Sequence, residues 1–383
     1  MMHIGFLTPE YPHFLANTTA GIGSSIKNLA EALVRKEIKV SIFIYGQNIN
    51  TVFLEDGIKF HFIKQQKFLL GGWFLYRKFI QNYLNKYVAV DGIQVIEAPD
   101  WTGITAFMRL RCPLIIRMHG TDAYFCKLEG RPQKTKNFLL EKFGLLGANK
   151  LLSVSEFTAK ETMNIFGLKG EVKVIPNSVN TDLLTSENSG VTAGRILYFG
   201  TVIRKKGVLE LPQIFNRVIE RKVEVELLIV GKDVIDSQTG RSTKEMMKER
   251  FTSDAARKVK WIGELSHEKV LLEIAAAQVI VLPSFAEAFP MTWLEAMAME
   301  KALVTSNIGW ADEIMIDEQT GYTENPKNHE NFSEKILKLL NDQIKAQAMG
   351  RAARKRILEN FSTDIIPARN VNFYKEVIED KCT

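Results

Sequence analysis

The chain has 383 residues, with 50 Lys plus Arg against 44 Asp plus Glu. At roughly 100–200 residues per domain, that length points to two or three domains, each large enough to bury its own core. A composition 25% charged and 46% hydrophobic excludes disordered, collagen-like and disulfide-scaffold classes. The three cysteines, Cys112, Cys126 and Cys382, lack the paired spacing of a structural zinc site and suit a reducing compartment.

From the N-terminus, Met1-Met2-His3-Ile4-Gly5-Phe6-Leu7-Thr8 enters an apolar strand pattern with no basic leader and no cleavage site, the pattern expected of a cytoplasmic protein. Strands are expected at 3–8, 40–45, 58–63, 94–97, 114–119, 151–155 and 172–176. Helices are expected between them at 25–35, 73–87, 105–110, 134–146 and 156–166. Continuous apolar strands alternating with amphipathic helices predict a parallel sheet covered on both faces. The polar, Gly/Ser/Thr-rich stretch 185–194 reads as a linker. The βα pattern then restarts, with strands at 195–200, 224–231, 259–263, 279–283 and 302–306. Helices are expected at 208–220, 243–251, 267–276, 292–299, 329–340 and 344–359, and a final one lies within 363–380. The expected class is α/β, with two Rossmann-like domains: 1–184, then the linker 185–194, then 195–362. The segment 363–383 is expected to pack back on the first domain. Ligand is expected in the cleft between two such domains, outside the carboxyl ends of their strands.

The charge is unevenly spread. Residues 1–180 hold 22 Lys/Arg against 14 Asp/Glu, a balance of +8, and residues 181–383 hold 28 against 30, a balance of −2. The basic half suits an acidic substrate, an anionic membrane surface or nucleic acid, and charge alone does not choose among them.

Four strand-to-helix loops carry chemistry. Gly21-Ile22-Gly23 opens a helix after the first strand, where glycines let backbone N–H groups approach a phosphate. The spacing is neither GxGxxG nor a P-loop, and a plain glycine turn is the competing reading. His119-Gly120-Thr121-Asp122 follows an apolar strand, and its histidine is either a ligand contact or a satisfied structural residue. Arg204-Lys205-Lys206-Gly207 follows another strand, where cations neutralise a diphosphate or simply sit in solvent. Glu287 lies in the loop after strand 279–283, and Glu295 lies one turn into a helix that begins at or just after Pro290. Two carboxylates flanking a helix N-terminus suit a ligand with both hydroxyls and phosphate. Two solvated or salt-bridged glutamates are the alternative.

Taken together, these residues resemble retaining glycosyltransferases of the GT-B fold, specifically glycosyltransferase family 4. The resemblance rests on the Glu287/Glu295 pair within Glu287-Ala-Phe-Pro and Leu294-Glu295-Ala-Met-Ala, and on Lys206-Gly207. Gly21-Ile-Gly23, Ser153-Val-Ser155-Glu156, Val174-Ile-Pro-Asn177-Ser-Val-Asn180 and Gly309, Glu313 and Gly321 extend it over essentially the whole chain. It implies transfer of a sugar from a nucleotide-diphosphate donor, with Glu287 on the sugar hydroxyls and Glu295 on the ribose. Lys206 would neutralise the diphosphate, Gly21 and Gly23 would approach it from the other domain, and His119 would reach the donor sugar or its phosphate. Two positions depart from the family pattern. Thr201 stands where the family often has Arg, leaving Arg204 to take over. Pro290 stands where it often has Gly, leaving the phosphate to the amides of Met291 and Thr292.

No Asp-x-Asp occurs in the chain, so neither metal nor cofactor is expected. A nucleotide-sugar epimerase, a sugar phosphorylase and a non-catalytic nucleotide-sugar-binding subunit are the alternatives. The acceptor is a glycan, a lipid-linked or a small molecule. The aromatic and basic stretch 73–87 reads either as an interfacial helix on the anionic inner face of a membrane or as an amphipathic core helix. Nucleic acid is not expected.

Overall fold

Strands that read as near-continuous apolar runs must bury both faces, and that requirement builds the molecule into two sheets. The structure, a computed structural model, describes residues 1–185 and 190–380. Part of the expected linker and Cys382 therefore lie outside the described residues. The chain forms two units: residues 1–179 with the segment from Ser362 onward, and Asn180–Phe361.

The first unit holds β1 (His3–Thr8), β2 (Lys39–Gln47), β3 (Thr51–Glu55), β4 (Ile58–Lys64), β5 (Val95–Pro99), β6 (Leu114–Met118), β7 (Lys150–Ser153) and β8 (Val172–Val174). Their order is β3-β4-β2-β1-β5-β6-β7-β8. Alternation along each strand feeds two cores. Ile4, Phe6, Val40, Ile42 and Ile44 point to one face, and Leu7, Phe43 and Tyr45 to the other. The second unit holds β9 (Arg195–Phe199), β10 (Glu226–Val230), β11 (Val259–Gly263), β12 (Val279–Leu282), β13 (Ala302–Ser306) and β14 (Tyr322–Glu324), ordered β11-β10-β9-β12-β13-β14 and parallel throughout. Its covering helices are amphipathic. Leu211–Arg221 buries Leu211, Ile214, Phe215, Val218 and Ile219, the three-and-four spacing of one helical face.

Three sequence expectations need correction. The first sheet is not wholly parallel, because β3 pairs antiparallel with β4 across Asp56-Gly57, whose φ values of +49° and +78° make a two-residue hairpin turn. No helix covers 105–110. Thr102 and Phe107 sit at φ +59° and +64°, outside helical backbone, and only the short turn Trp101–Gly103 forms. A helix at Asp122–Glu129 follows β6 unexpectedly, capped by the Thr121 hydroxyl accepting from the Tyr124 amide at 3.0 Å.

The C-terminal helix Ile366–Glu379 is held in the first unit by a buried polar network. Arg117 on β6 donates to both carboxylate oxygens of Glu97 on β5 at 2.7 and 3.0 Å, to Asn370 Oδ1 at 2.5 Å and to the Ile175 carbonyl at 3.2 Å. Tyr374 donates its hydroxyl to Glu97 at 2.7 Å. Removing one partner of a buried pair leaves the other charge uncompensated. Glu97→Ala is expected to destabilise the protein by about 3–5 kcal/mol in urea unfolding. Loss of the Tyr374 hydroxyl in Tyr374→Phe, which removes one hydrogen bond to the carboxylate, is expected to cost about 1.5–3 kcal/mol.

Candidate active site

In the second unit, successive strands run outward from β9 to one side through β10 and β11, and from β12 to the other. The loops at the carboxyl ends of β9 and β12 therefore diverge, and such a switch point is where open parallel sheets take ligand. These two loops are clasped together. The N–H groups of Phe285 and Ala286 donate to the Lys205 carbonyl at 2.8 and 3.2 Å. Gly207, at φ +68°, lies so close to the Pro283 carbonyl that any Cβ would overlap it.

The clasp brings Lys206 to Glu287. Lys206 Nζ stands 3.1 Å from Glu287 Oε1, and the Ser284 hydroxyl donates to the same oxygen at 3.0 Å. Both charged side chains are mostly buried, 18% and 12% exposed. Tyr198 is buried nearby and donates to the Thr201 carbonyl at 2.8 Å; burial first, then the Glu287 charge, pushes its pKa well above the ordinary phenol value.

The helix Met291–Ala298 begins directly after Pro290. The Trp293 and Leu294 amides donate back to the Pro290 carbonyl at 3.2 and 3.5 Å, while those of Met291 and Thr292 have no partner among the described residues. Two open donors at a helix start form an anion-seeking end. One turn on, Glu295 Oε1 lies 3.1 Å from His267 Nε2, contributed by the helix His267–Ala276. Arg204 donates from Nε and Nη2 to Asp236, both at 2.8 Å, while Lys206 is a cation paired with Glu287.

The first unit treats its strand ends differently. The helix Gly21–Arg35 starts where expected, but the Gly23 amide donates to the Glu10 carboxylate at 2.9 Å, so an internal anion already occupies that end. Burial raises the Glu10 pKa, and the amides of Gly23 and Ile22 oppose that rise. Gly21 faces open space; Gly23 packs on the Glu10–Tyr11 backbone, where a Cβ would be pressed to 3.0 Å. In this structure the Gly23 N–H is taken by Glu10. His119 is buried at the end of β6, and burial, then the charge of Arg117, lowers its pKa to about 3. Both effects favour its neutral imidazole over the cation. Its amide donates to Asp100 Oδ1 at 2.9 Å; burial lifts that carboxyl to about 8, and Oδ2 has no partner. Glu10, Asp100 and His267 were absent from the sequence-derived site. Among the described residues, no three His, Cys, Asp or Glu side chains cluster to hold a metal.

Two family models match the chain in sequence. Residues 19–183 match Glycosyltransferase Family 4, and residues 182–356 match Glycosyl transferases group 1. The chain is a GT-B glycosyltransferase of the family 4 type. An uncharacterised glycosyltransferase of Methanocaldococcus jannaschii is 25% identical over 99% of both chains. Among solved structures, a sucrose-phosphate synthase from Thermosynechococcus elongatus superposes with a TM-score of 0.78 at 18% identity, covering 99% of this chain and 100% of that one. Anabaena HepE, in complex with UDP and glucose, superposes with a TM-score of 0.74 at 16% identity, covering 98% and 100%. These two likenesses establish the two-sheet fold.

In this glycosyltransferase, Arg204 holds the Asp236 carboxyl down to about 2 from its ordinary 3.8. A carboxyl whose pKa is lower folded than unfolded stabilises above its unfolded value and loses that contribution as pH falls through the folded one. Asp236→Asn is therefore expected to lose about 1–2 kcal/mol at pH 7. The gap should close between roughly pH 4 and pH 2 in urea unfolding. A gap of equal size at both ends of that range would contradict the pairing.

Proposed function

We propose that this glycosyltransferase moves a sugar from a nucleoside-diphosphate donor to an acceptor hydroxyl with retention at the anomeric carbon, in the synthesis of a cell-surface polysaccharide or glycoconjugate. The observation that carries this reading is the Lys206–Glu287 pair beside the open amides of Met291 and Thr292. As the glycosidic bond breaks, negative charge gathers on the departing diphosphate. A fixed ammonium and fixed amide dipoles stabilise charge where it develops. Glu287, held by Lys206 and Ser284, accepts hydrogen bonds from the sugar hydroxyls, and Glu295 accepts those of the ribose. His119, neutral, supplies a hydrogen bond without adding charge. The departing phosphate takes the acceptor proton on the face it leaves, so retention needs no side-chain base. Lys206 and the two amides do for the diphosphate what a metal would, and the reaction proceeds without one. The acceptor is a glycan, a lipid-linked or a small molecule.

HepE was solved with UDP and glucose, which makes UDP-glucose the first donor to try, followed by other UDP-, GDP-, ADP- and dTDP-sugars. With the donor that raises the melting temperature, the purified protein is expected to hydrolyse it slowly without acceptor. Glu287→Gln is expected to lower that kcat by about 100-fold or more while leaving donor binding in place. EDTA is expected to leave turnover unchanged, and proton NMR to show a product with the donor's anomeric configuration. Loss of turnover in EDTA with rescue by Mn²⁺, or an inverted anomer, would contradict the mechanism.

A further inference from the structure

The helix Gly72–Asp91 has two characters. Tyr76, Arg77, Ile80, Leu84 and Val88 form its buried side, and Arg77 fastens it by donating to the carbonyls of Gly103, Trp73 and Thr102. Its first turn does the opposite and exposes Trp73, Phe74 and Leu75. The loop just before it ends in Leu69 and Leu70, which are 105% and 85% exposed. Six large apolar residues in the nine from Lys67 to Leu75 thus stand outside the core.

Two other segments extend the same face. Phe107 lies 6.2 Å from Trp73 and 6.4 Å from Phe74, and its ring is 5.0 Å from Phe143 on the helix Thr135–Leu146. Phe107 reaches this place on a left-handed backbone, φ +64°, which a bulky residue adopts only when its surroundings impose it. A soluble surface scatters its exposed apolar residues singly, whereas a contiguous aromatic and aliphatic face marks a docking surface.

Charge identifies the partner. The stretches 65–87, 104–112 and 131–147 carry ten Lys or Arg against one acid, Glu141; Arg77 is buried and Arg131 is paired with Asp122 and Glu129, which leaves eight cations for this face. Glu141 is fully buried, accepting from the amides of Asp122 and Ala123. Lys78 and Lys136 lie over the rings of Phe74 and Trp73, at 5.4 and 5.6 Å, so cations fringe the apolar centre. A second copy of the chain would bring the same positive charge against this face. A bilayer of anionic lipid neutralises the charge and also receives the apolar side chains.

We propose that this face of the first unit docks on an anionic lipid bilayer, with Leu69, Leu70 and Trp73 entering the boundary between headgroups and acyl chains. No described helix is long and apolar enough to cross a membrane, and surface docking needs none. The inference is independent of the donor chemistry.

The test uses the full chain with vesicles of phosphatidylcholine alone or mixed with phosphatidylglycerol. The protein is expected to co-sediment with the mixed vesicles at low salt, to be released by high salt and to ignore the neutral vesicles. Tryptophan emission is expected to shift to the blue on binding, and Trp73→Phe to abolish that shift. The double variant L69D/L70D is expected to bind at least about tenfold more weakly with an unchanged melting temperature, since neither side chain belongs to the core. Wild-type protein left in the supernatant at low salt would overturn the proposal, as would L69D/L70D binding as well as wild type. A dimer that L69D/L70D dissolves, with no vesicle binding, would assign the face to a second copy and overturn it too.

Discussion

The clasp between the turn Arg204–Lys206 and the loop after β12 is the constraint on which the second unit's chemistry depends. Lys205 and Phe285 are 80 positions apart in the chain, yet the pairing of β9 with β12 makes their loops neighbours, and the hydrogen bonds onto the Lys205 carbonyl join them. Gly207 permits the approach because it has no Cβ to meet the Pro283 carbonyl. With the loops apart, Lys206 would be one more solvated cation and Glu287 one more loop carboxylate. Joined, they form an ion pair with little exposure beside a helix start whose first two amides are open. The electrostatic character of this edge is therefore a consequence of strand order.

The first unit follows a different logic at the same kind of place. Its β1 helix end is neutralised internally by Glu10, and the residues at the ends of β5 and β6, Asp100 and His119, are buried and held towards their neutral forms. The ionic groups of the two units are thus unlike. Part of the first half's positive charge lies instead beside the exposed apolar segment, where Lys78 and Lys136 stand over the rings of Phe74 and Trp73.

Much of this was legible in the sequence because it is local. β-branched runs such as Val279-Ile280-Val281-Leu282 announce strands, and Pro290 announces the helix start that the structure shows at Met291. The Asp56-Gly57 turn was equally local, and its flanking alternation held the signal for the antiparallel β3. What was not legible depends on distant partners. The apolar pattern of 105–110 suits a helix, but Gly103 packs against the Leu140–Glu141 backbone and the segment takes left-handed turns instead. Likewise, nothing around Arg204 signals Asp236, 32 residues on, and nothing around Glu295 signals His267. Glu10 was hidden differently: a carboxylate in a loop looks solvated until the helix end it caps is in view.

The account stands or falls on where a donor's diphosphate binds. A crystal structure with a bound nucleoside diphosphate measures that directly. The account predicts phosphate oxygens within hydrogen-bonding reach of Lys206 Nζ and of the Met291 and Thr292 amides, with the ribose hydroxyls on Glu295. A diphosphate seated on the Gly21–Gly23 amides with Glu10 displaced, and out of reach of Lys206, would contradict it.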